Sequence, residues 1–383
     1  MSPRRAAVLG IGTAVPDTRL SQNDLRDLFA AQPGIDRLTA RLIRAAFDHS
    51  AIDGRYTVLP ELARGADATD AGASPFIDEE RHLRHPATGV RNAVYARAAP
   101  ALFAAAARAA LDRSGVAAAD ITHVVTASCT GFFAPGPDFR LVRDLGLAPS
   151  VARSHLGFLG CAAALPALRT AADICAAAPA AHVLVVCGEL CSIHLRASTD
   201  PDQIVSSAVF ADGAAAAVVS AAPHGEGRRL ELDRFTTAIT DDGESAMGWT
   251  IGDHGFEMTL TADVPRIVGR EVRAALAPLL DTSSAHDLAD AALQWAVHPG
   301  GRSILDRVEE ACGLDSATLD HSRGILREYG NMSSATILFI LERLLADPGI
   351  DDGTPLIAVA FAPGLTVEAA RMTVRTAPAD TPA

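Results

Sequence analysis

Short β-rich runs alternate with Ala-rich helical stretches along this chain, and that alternation limits its fold more than any other feature. It argues for α/β architecture. Ala6–Leu9, Thr122–Thr126, His182–Val186 and Gly213–Ser220 read as strands, with Gly10–Thr13 as a Gly-rich loop after the first. Gln22–Ala31, Arg37–Ser50, Val94–Ser114 and Cys161–Ala178 read as helices, and Gly65–Ser74 as a surface loop. After Ala221 the composition turns to Pro223, Gly225 and Gly227 among mixed charges, which places a boundary between two halves, residues 1–222 and 223–383. The second half repeats the style. It offers a helix over Asp263–Leu280, a strand at Leu293–Val297, helices at Arg302–Cys312 and Ser333–Leu345, then strands at Leu356–Phe361 and Thr366–Val374. Two halves with a similar element order suggest an internal duplication, although no residue-level repeat is visible.

Composition removes several chemistries. All 33 basic residues are Arg. Without lysine there is no Schiff base, no pyridoxal-phosphate anchor and no P-loop lysine. A net charge of −13 makes nucleic acid an unfavourable partner. The most apolar stretches, such as Ala180–Val186 and Thr336–Leu341, fall far short of the ~20 residues of a membrane span. Met1–Arg5 is basic, but Ala6–Val15 is too short and Gly-containing for a signal peptide, so a cytoplasmic location is expected. Six cysteines without CxxC pairs suit reduced thiols, most of them packing groups.

Three residues could carry chemistry. Cys161, in Leu159-Gly160-Cys161-Ala162, follows a glycine that permits a tight turn and sits where a helix begins. Unpaired N–H groups and the helix dipole there favour thiolate, although small packing cysteines are common. His298 ends an apolar strand before Pro299-Gly300-Gly301, where ligands of α/β folds gather; His182, His194 and His321 have no comparable setting. Asn331, in Gly330-Asn331-Met332-Ser333, serves equally as a helix cap or as an amide donor to a developing oxyanion. Together a Cys, a His and an Asn fit acyl transfer through a thioester, with a thiolate–imidazolium pair keeping sulfur reactive. After acylation, His and Asn can stabilise the enolate formed when a malonyl thioester loses CO2. There is no HExxH or CxxC metal-ligand spacing, and Gly10-Ile11-Gly12 lacks the third glycine of a dinucleotide fingerprint.

These residues, with their surroundings, resemble the chalcone and stilbene synthase family, the type III polyketide synthases. The resemblance runs through Ser50-Ala51-Ile52 and Arg55-Tyr56, the Cys161 segment, Val185-Val186-Cys187-Gly188-Glu189 and Ala208–Ala215. It continues through His298-Pro299-Gly300-Gly301 with Ile304-Leu305-Asp306, Gly330–Ala335, and Phe361-Ala362-Pro363-Gly364-Leu365-Thr366-Val367-Glu368. The last segment has Ala360 and Ala362 where the family pattern has glycines. The resemblance implies a thiolase-like, five-layered α/β/α/β/α fold from two related halves, and a homodimer. It implies acyl-CoA starter and malonyl-CoA as substrates, with no further cofactor and no metal. Cys161 would hold the starter and growing chain, while His298 and Asn331 would drive decarboxylation and condensation. Phe210 matches an aromatic gatekeeper, Phe361, Pro363 and Gly364 a loop shaping the cyclisation pocket, and Ser333 a small cavity residue.

Departures from the plant pattern bear on substrate. The second gatekeeper falls on Met258; cavity positions become Cys129, Cys191 and His194, and a usual glycine becomes Trp249. Ala134 replaces a Met that reaches into the neighbouring subunit. Segments around Cys129 and Trp249 resemble bacterial members, some of which take fatty acyl starters and make alkylresorcinols or alkylpyrones. An aromatic content of 5% would leave room for a long acyl chain. The family's CoA-binding basic positions hold Leu42, Ala45 and His49, so Arg41 and Arg44 are candidates for the CoA phosphates, with Gly300 and Gly301 nearby. The competing readings are a single-round ketoacyl synthase III-like enzyme, a non-catalytic scaffold, and a papain-like protease. The protease lacks its local signature and fits the α/β pattern poorly.

Overall fold

A computed structural model describes residues 5–63, 65, 74–222, 227–280, 288–289 and 292–376. The expected divide at 222/223 and most of the loop expected at Gly65–Ser74 fall on residues outside these. In chain order the strands are β1 (Ala7–Ala14), β2 (Thr18–Ser21), β3 (Gly54–Thr57), β4 (His123–Ser128), β5 (Ala152–Gly157), β6 (His182–Leu190) and β7 (Asp212–Ser220). After these come β8 (Arg229–Ile239), β9 (Met247–Gly252), β10 (Gly255–Leu260), β11 (Gln294–Val297), β12 (Pro355–Ala362) and β13 (Thr366–Arg375). Nine of them form one mixed sheet in the order β11-β12-β13-β8-β1-β7-β6-β4-β5.

The duplication expected from element order is visible in that sheet. From the β1 end the first half runs β1-β7-β6-β4-β5, and from the β8 end the second runs β8-β13-β12-β11. In each half the strand that enters first pairs antiparallel with the one that leaves last, β1 with β7 and β8 with β13. The halves join where Ala7 and Val8 pair with Glu231 and Leu230. The second half has no counterpart of the edge strand β5 among the described residues.

Side-chain alternation sorts each strand into two different cores. Val183, Val185 and Cys187 of β6 face a middle core with helices Ala164–Ala177 and Thr336–Ala346. Leu184 and Val186 face an outer core under helix Thr88–Ser114. Ile357 and Val359 of β12 face a third core under helices Val264–Leu276 and Arg302–Cys312, while Ala358 and Ala360 face the middle. Helix Ala164–Ala177 touches β4, β6 and β7 on one side and β8 and β13 on the other. Both mid-layer helices are thus sandwiched, and the result is the five-layered thiolase-like α/β/α/β/α fold that the resemblance implies.

Gly10–Thr13 is no loop. It continues β1, and a Cβ on Gly12 would meet Ala110 N at 2.2 Å, one on Gly10 Ser114 N at 2.6 Å. The glycines let the long helix lie directly on the strand, and that helix begins at Thr88, two turns before the expected Val94. Cys161 lies in a short 3-10 turn, Gly160–Ala162, with the α-helix starting only at Ala164.

Candidate active site

Cys161 is presented on a strained turn. Phe158 has φ 58° and Gly160 φ 62°, in the left-handed region. A Cβ on Gly160 would lie 2.4 Å from Pro363 Cδ. The glycine therefore serves both the turn and the close approach of the loop between β12 and β13, which belongs to the other half. Gly364 in that loop (φ 84°) donates its N–H to Met247 O at 3.0 Å, tying it to the β9–β10 hairpin.

His298 follows β11, held by its N–H to Val359 O (2.8 Å) and by Gly300 N–H to its own carbonyl (3.0 Å). Its ring is buried, and neither ring nitrogen has a hydrogen-bond partner. Asn331 follows Gly330, whose φ of 72° ends helix Asp320–Tyr329. Its Oδ1 accepts from Ser333 N at 2.8 Å. The oxygen being occupied, Nδ2 is the end that faces the cavity, 3.4 Å from Gly300 O and 4.0 Å from Cys161 Sγ. The amide oxygen thus closes a local turn onto Ser333 rather than capping helix Thr336–Ala346, which begins five residues on.

Cys161, His298 and Asn331 line one cavity of about 580 Å³, within the range of ligand pockets. Phe210, Met258, Gly300, Gly301 and Phe361 also line it. Cys161, Phe210, Met247 and Met258 additionally border an inner chamber of only about 50 Å³. Cys129, Cys191, His194, Trp249, Ser333 and Pro363 line that chamber. Gly364 lines neither. Met247, Gln203, Ser206 and Phe256, which no motif singled out, also line the chamber.

Its wall is aromatic although the chain is not. His194 stacks on Phe256 (4.3 Å between centroids, 17°), and Trp249 meets both edge-on. Trp249 Nε1 donates to Cys129 O at 2.7 Å. His194 Nδ1 accepts from Phe256 N at 3.0 Å, which leaves Nε2 as the protonated nitrogen, donating to Thr130 O at 2.7 Å. Behind this wall the chamber measures only about 50 Å³, and the larger space that Cys161 borders is the cavity of about 580 Å³.

Electrostatics also differ from the expected thiolate–imidazolium pair. Burial pushes the Cys161 thiol up to about 11, against the pull of donors Ser333 and Asn331. Burial alone lowers His298 to about 3. Both shifts run towards the uncharged forms, thiol and neutral imidazole, and the α-helix begins only three residues after Cys161. Arg41 and Arg44, expected to meet the CoA phosphates, lie on the exposed face of helix Arg37–Asp48 and line neither chamber. Ala46 of that helix and the following His49 line the cavity, as do Arg302 and Ser303.

Comparison with known proteins gives the family. Residues 1–223 match the family described as "Chalcone and stilbene synthases, N-terminal domain", and 231–377 match its C-terminal domain. "Bisdemethoxycurcumin synthase" of Oryza sativa subsp. japonica is 35% identical over 381 residues, covering 95% of this chain and 91% of its own. "Probable polyketide synthase 1" of Dictyostelium discoideum is 33% identical over 373 residues, 96% of this chain, which spans only 11% of that much longer protein. Among solved structures, the C-terminal type III polyketide synthase domain of Steely1, from a Dictyostelium type I/III hybrid, superposes with a TM-score of 0.87 at 30% identity. It covers 97% of this chain and 100% of its own. PKS-I of the brown alga Ectocarpus siliculosus gives 0.88 at 28% identity, over 97% and 99%. The chain is a condensing enzyme of the chalcone and stilbene synthase family, the type III polyketide synthases.

Proposed function

We propose that the protein loads an acyl group from acyl-CoA on Cys161, extends it iteratively with malonyl-CoA and cyclises the product. The observation that carries this reading is His298: a buried imidazole with two unpartnered nitrogens, in the same ligand-sized cavity as Cys161 and the Asn331 amide. A buried polar atom without a partner calls for an explanation, and two on one imidazole that lines a ligand-sized cavity fit a ligand.

In loading, neutral His298 takes the Cys161 proton as sulfur attacks the starter thioester. The carbonyl–sulfur bond to CoA breaks, and the proton passes to the departing CoA sulfur. In extension, the bond between the malonyl carboxylate and its α-carbon breaks and CO2 leaves. The electron pair enters an enolate whose oxygen accepts from His298 and from Asn331 Nδ2. The enolate carbon attacks the Cys161 thioester, and the Cys161 sulfur departs with its bonding pair. The small inner chamber favours a short starter, with the growing chain turning past Phe210 and Met258 into the larger cavity. His49 and Arg302 would meet the CoA phosphates at the mouth.

A cytoplasmic homodimer completes the proposal. β5 is an outer edge strand with most of its side chains exposed, and Phe158 and Leu159 immediately beyond it are 38% and 41% exposed. An unprotected edge beside apolar groups is a pairing surface. The test is incubation with malonyl-CoA and a panel of short, long and aromatic acyl-CoAs, with products identified by mass. Cyclised products of several extensions support the reading; one extension without ring closure supports the ketoacyl synthase III-like alternative instead.

A further inference from the structure

Two stretches that carry the resemblance, Ser50-Ala51-Ile52 and Arg55-Tyr56, have no part in the reaction above. Arg55 is 1% exposed, yet it lines neither chamber. All five of its side-chain N–H groups are used. Nη1 donates to Ser207 O (2.8 Å) and Phe210 O (2.6 Å). Nη2 donates to Ala208 O (3.0 Å) and Gln22 Oε1 (2.8 Å), and Nε to the same Gln22 oxygen (3.2 Å). Gln22 is itself held, its Nε2 donating to Ser50 Oγ (2.9 Å) and Ala208 O (2.8 Å).

The three carbonyls belong to the end of helix Pro201–Val209 and its cap, where no intrahelical N–H reaches them and a cation is favoured. Only a planar fork reaches three carbonyls and a side-chain oxygen at once; an ammonium does not. Among the described residues no carboxylate hydrogen-bonds the guanidinium. The nearby Asp212 takes the N–H groups of Ser192 (2.7 Å) and Val58 (2.8 Å) instead.

What the clamped segment carries gives the clamp a purpose. Phe210 borders both chambers. Asn331 N donates to Val209 O at 2.9 Å, and Ala211 N donates to Asn331 O at 2.8 Å. A Cβ on Gly330 would lie 3.1 Å from Val209 O and 3.4 Å from Arg55 Cβ, so the glycine is what lets the two pieces close. The oxyanion-binding amide hangs by its main chain on the segment that Arg55 grips.

We propose that Arg55 is a positioning residue for the reaction: by fixing Val209–Ala211 it aims the Asn331 side-chain amide at the reacting carbonyl. This deepens the condensing-enzyme reading and rests on it. Arg55→Lys keeps the charge and loses the fork. Hydrogen exchange in peptides containing Ala211 and Asn331 is expected to quicken at least about tenfold, with β6 unchanged. The kcat of malonyl-CoA decarboxylation is expected to fall at least about tenfold, with KM within about twofold. Alkylation of Cys161 by iodoacetamide, which Asn331 influences only through one long contact to the sulfur (4.0 Å), is expected to change by less than about threefold. Unchanged exchange at those peptides overturns the proposal, as do equal losses in decarboxylation and alkylation. Should Arg55→Lys fail to fold, Gln22→Met removes two of the five bonds, and the same pattern at about threefold is expected; its absence overturns the proposal as well. A wild type that does not decarboxylate malonyl-CoA refutes the functional reading, while the exchange data still decide on the clamp.

Discussion

His298 and His194 are both buried and both lowered to about 3 by desolvation, yet their surroundings are opposite. His194 spends both nitrogens on the backbone, on Thr130 O and Phe256 N, and stacks flat on Phe256. It is a wall. His298 spends neither nitrogen and opens on a cavity of about 580 Å³. Burial and titration do not separate the two; the account of hydrogen bonds does. A group whose polar atoms are all satisfied fixes a shape, and one left unsatisfied in a ligand-sized space awaits a partner.

The largest effect that tests this contrast comes from exchanging the same side chain at the two sites. His298→Gln is expected to cut malonyl-CoA decarboxylation by about 10²–10³, the scale of a lost oxyanion donor. His194→Gln is expected to leave decarboxylation within about threefold but to lower stability by about 1–3 kcal/mol, since Phe256 N and Thr130 O lose a partner. Steady-state kinetics and denaturant unfolding of both variants check the pair; similar kinetic losses in the two would erase the distinction.

The inner chamber gives the next effect. Removing the indole in Trp249→Gly takes away the edge that packs His194 and Phe256, and opens space beside Cys161. Relative kcat/KM for long against short acyl-CoA starters is expected to rise about tenfold, read from competition assays by mass. An unchanged ratio would mean that the wall does not set starter length.

Acid sharpens the comparison more gently. In the unfolded chain each histidine takes up a proton near 6.5, in the folded one only near 3. Between those values the unfolded state binds more protons, so stability falls as pH drops from 6.5 towards 3. His298→Gln removes one such group, and its stability is expected to fall less steeply over that window than the wild type's. A parallel decline in urea unfolding at pH 7 and pH 5 would contradict the neutral, unpartnered imidazole.

The smallest effect is expected at the mouth. Arg41→Ala and Arg44→Ala, on an exposed helix face, should change KM for malonyl-CoA by less than about twofold. Arg302→Ala, at the cavity rim, should raise it severalfold. The reverse order would return the CoA phosphates to the first helix pair.

Much of this was legible in the residues, and the exceptions have physical reasons. Strands buried on both faces, such as β6 and β7, announce themselves by unbroken apolar runs. β5 carries polar groups on both faces and gives no pattern to read, though it leads directly into the Cys161 turn. The hairpin of β9 and β10 and the helix Pro201–Val209 were not anticipated either, yet they hold Trp249, Met258 and the approach to Phe210. Gly10 and Gly12 look like a turn in sequence because a glycine needed for close packing and one needed for a loop are the same residue. The three residues that meet at the cavity were found through their segments, but the direction in which burial shifts Cys161 and His298 was not. It depends on how much water the fold removes, which no motif encodes.

In the proposed reaction one sulfur atom, Cys161, carries the acyl chain, although other thiols and hydroxyls, Cys129, Cys191 and Ser333 among them, line the same chamber. Cys129 Sγ lies 3.7 Å from Ser333 Oγ, and Cys191 lines the same chamber. Intact-protein mass spectrometry after brief incubation with a short acyl-CoA tests it most directly. The wild type is expected to gain one acyl mass that maps to Cys161. Cys161→Ala is expected to gain none while still releasing CO2 from malonyl-CoA. An adduct of the same size on Cys161→Ala, or cyclised product from that variant, would contradict the account.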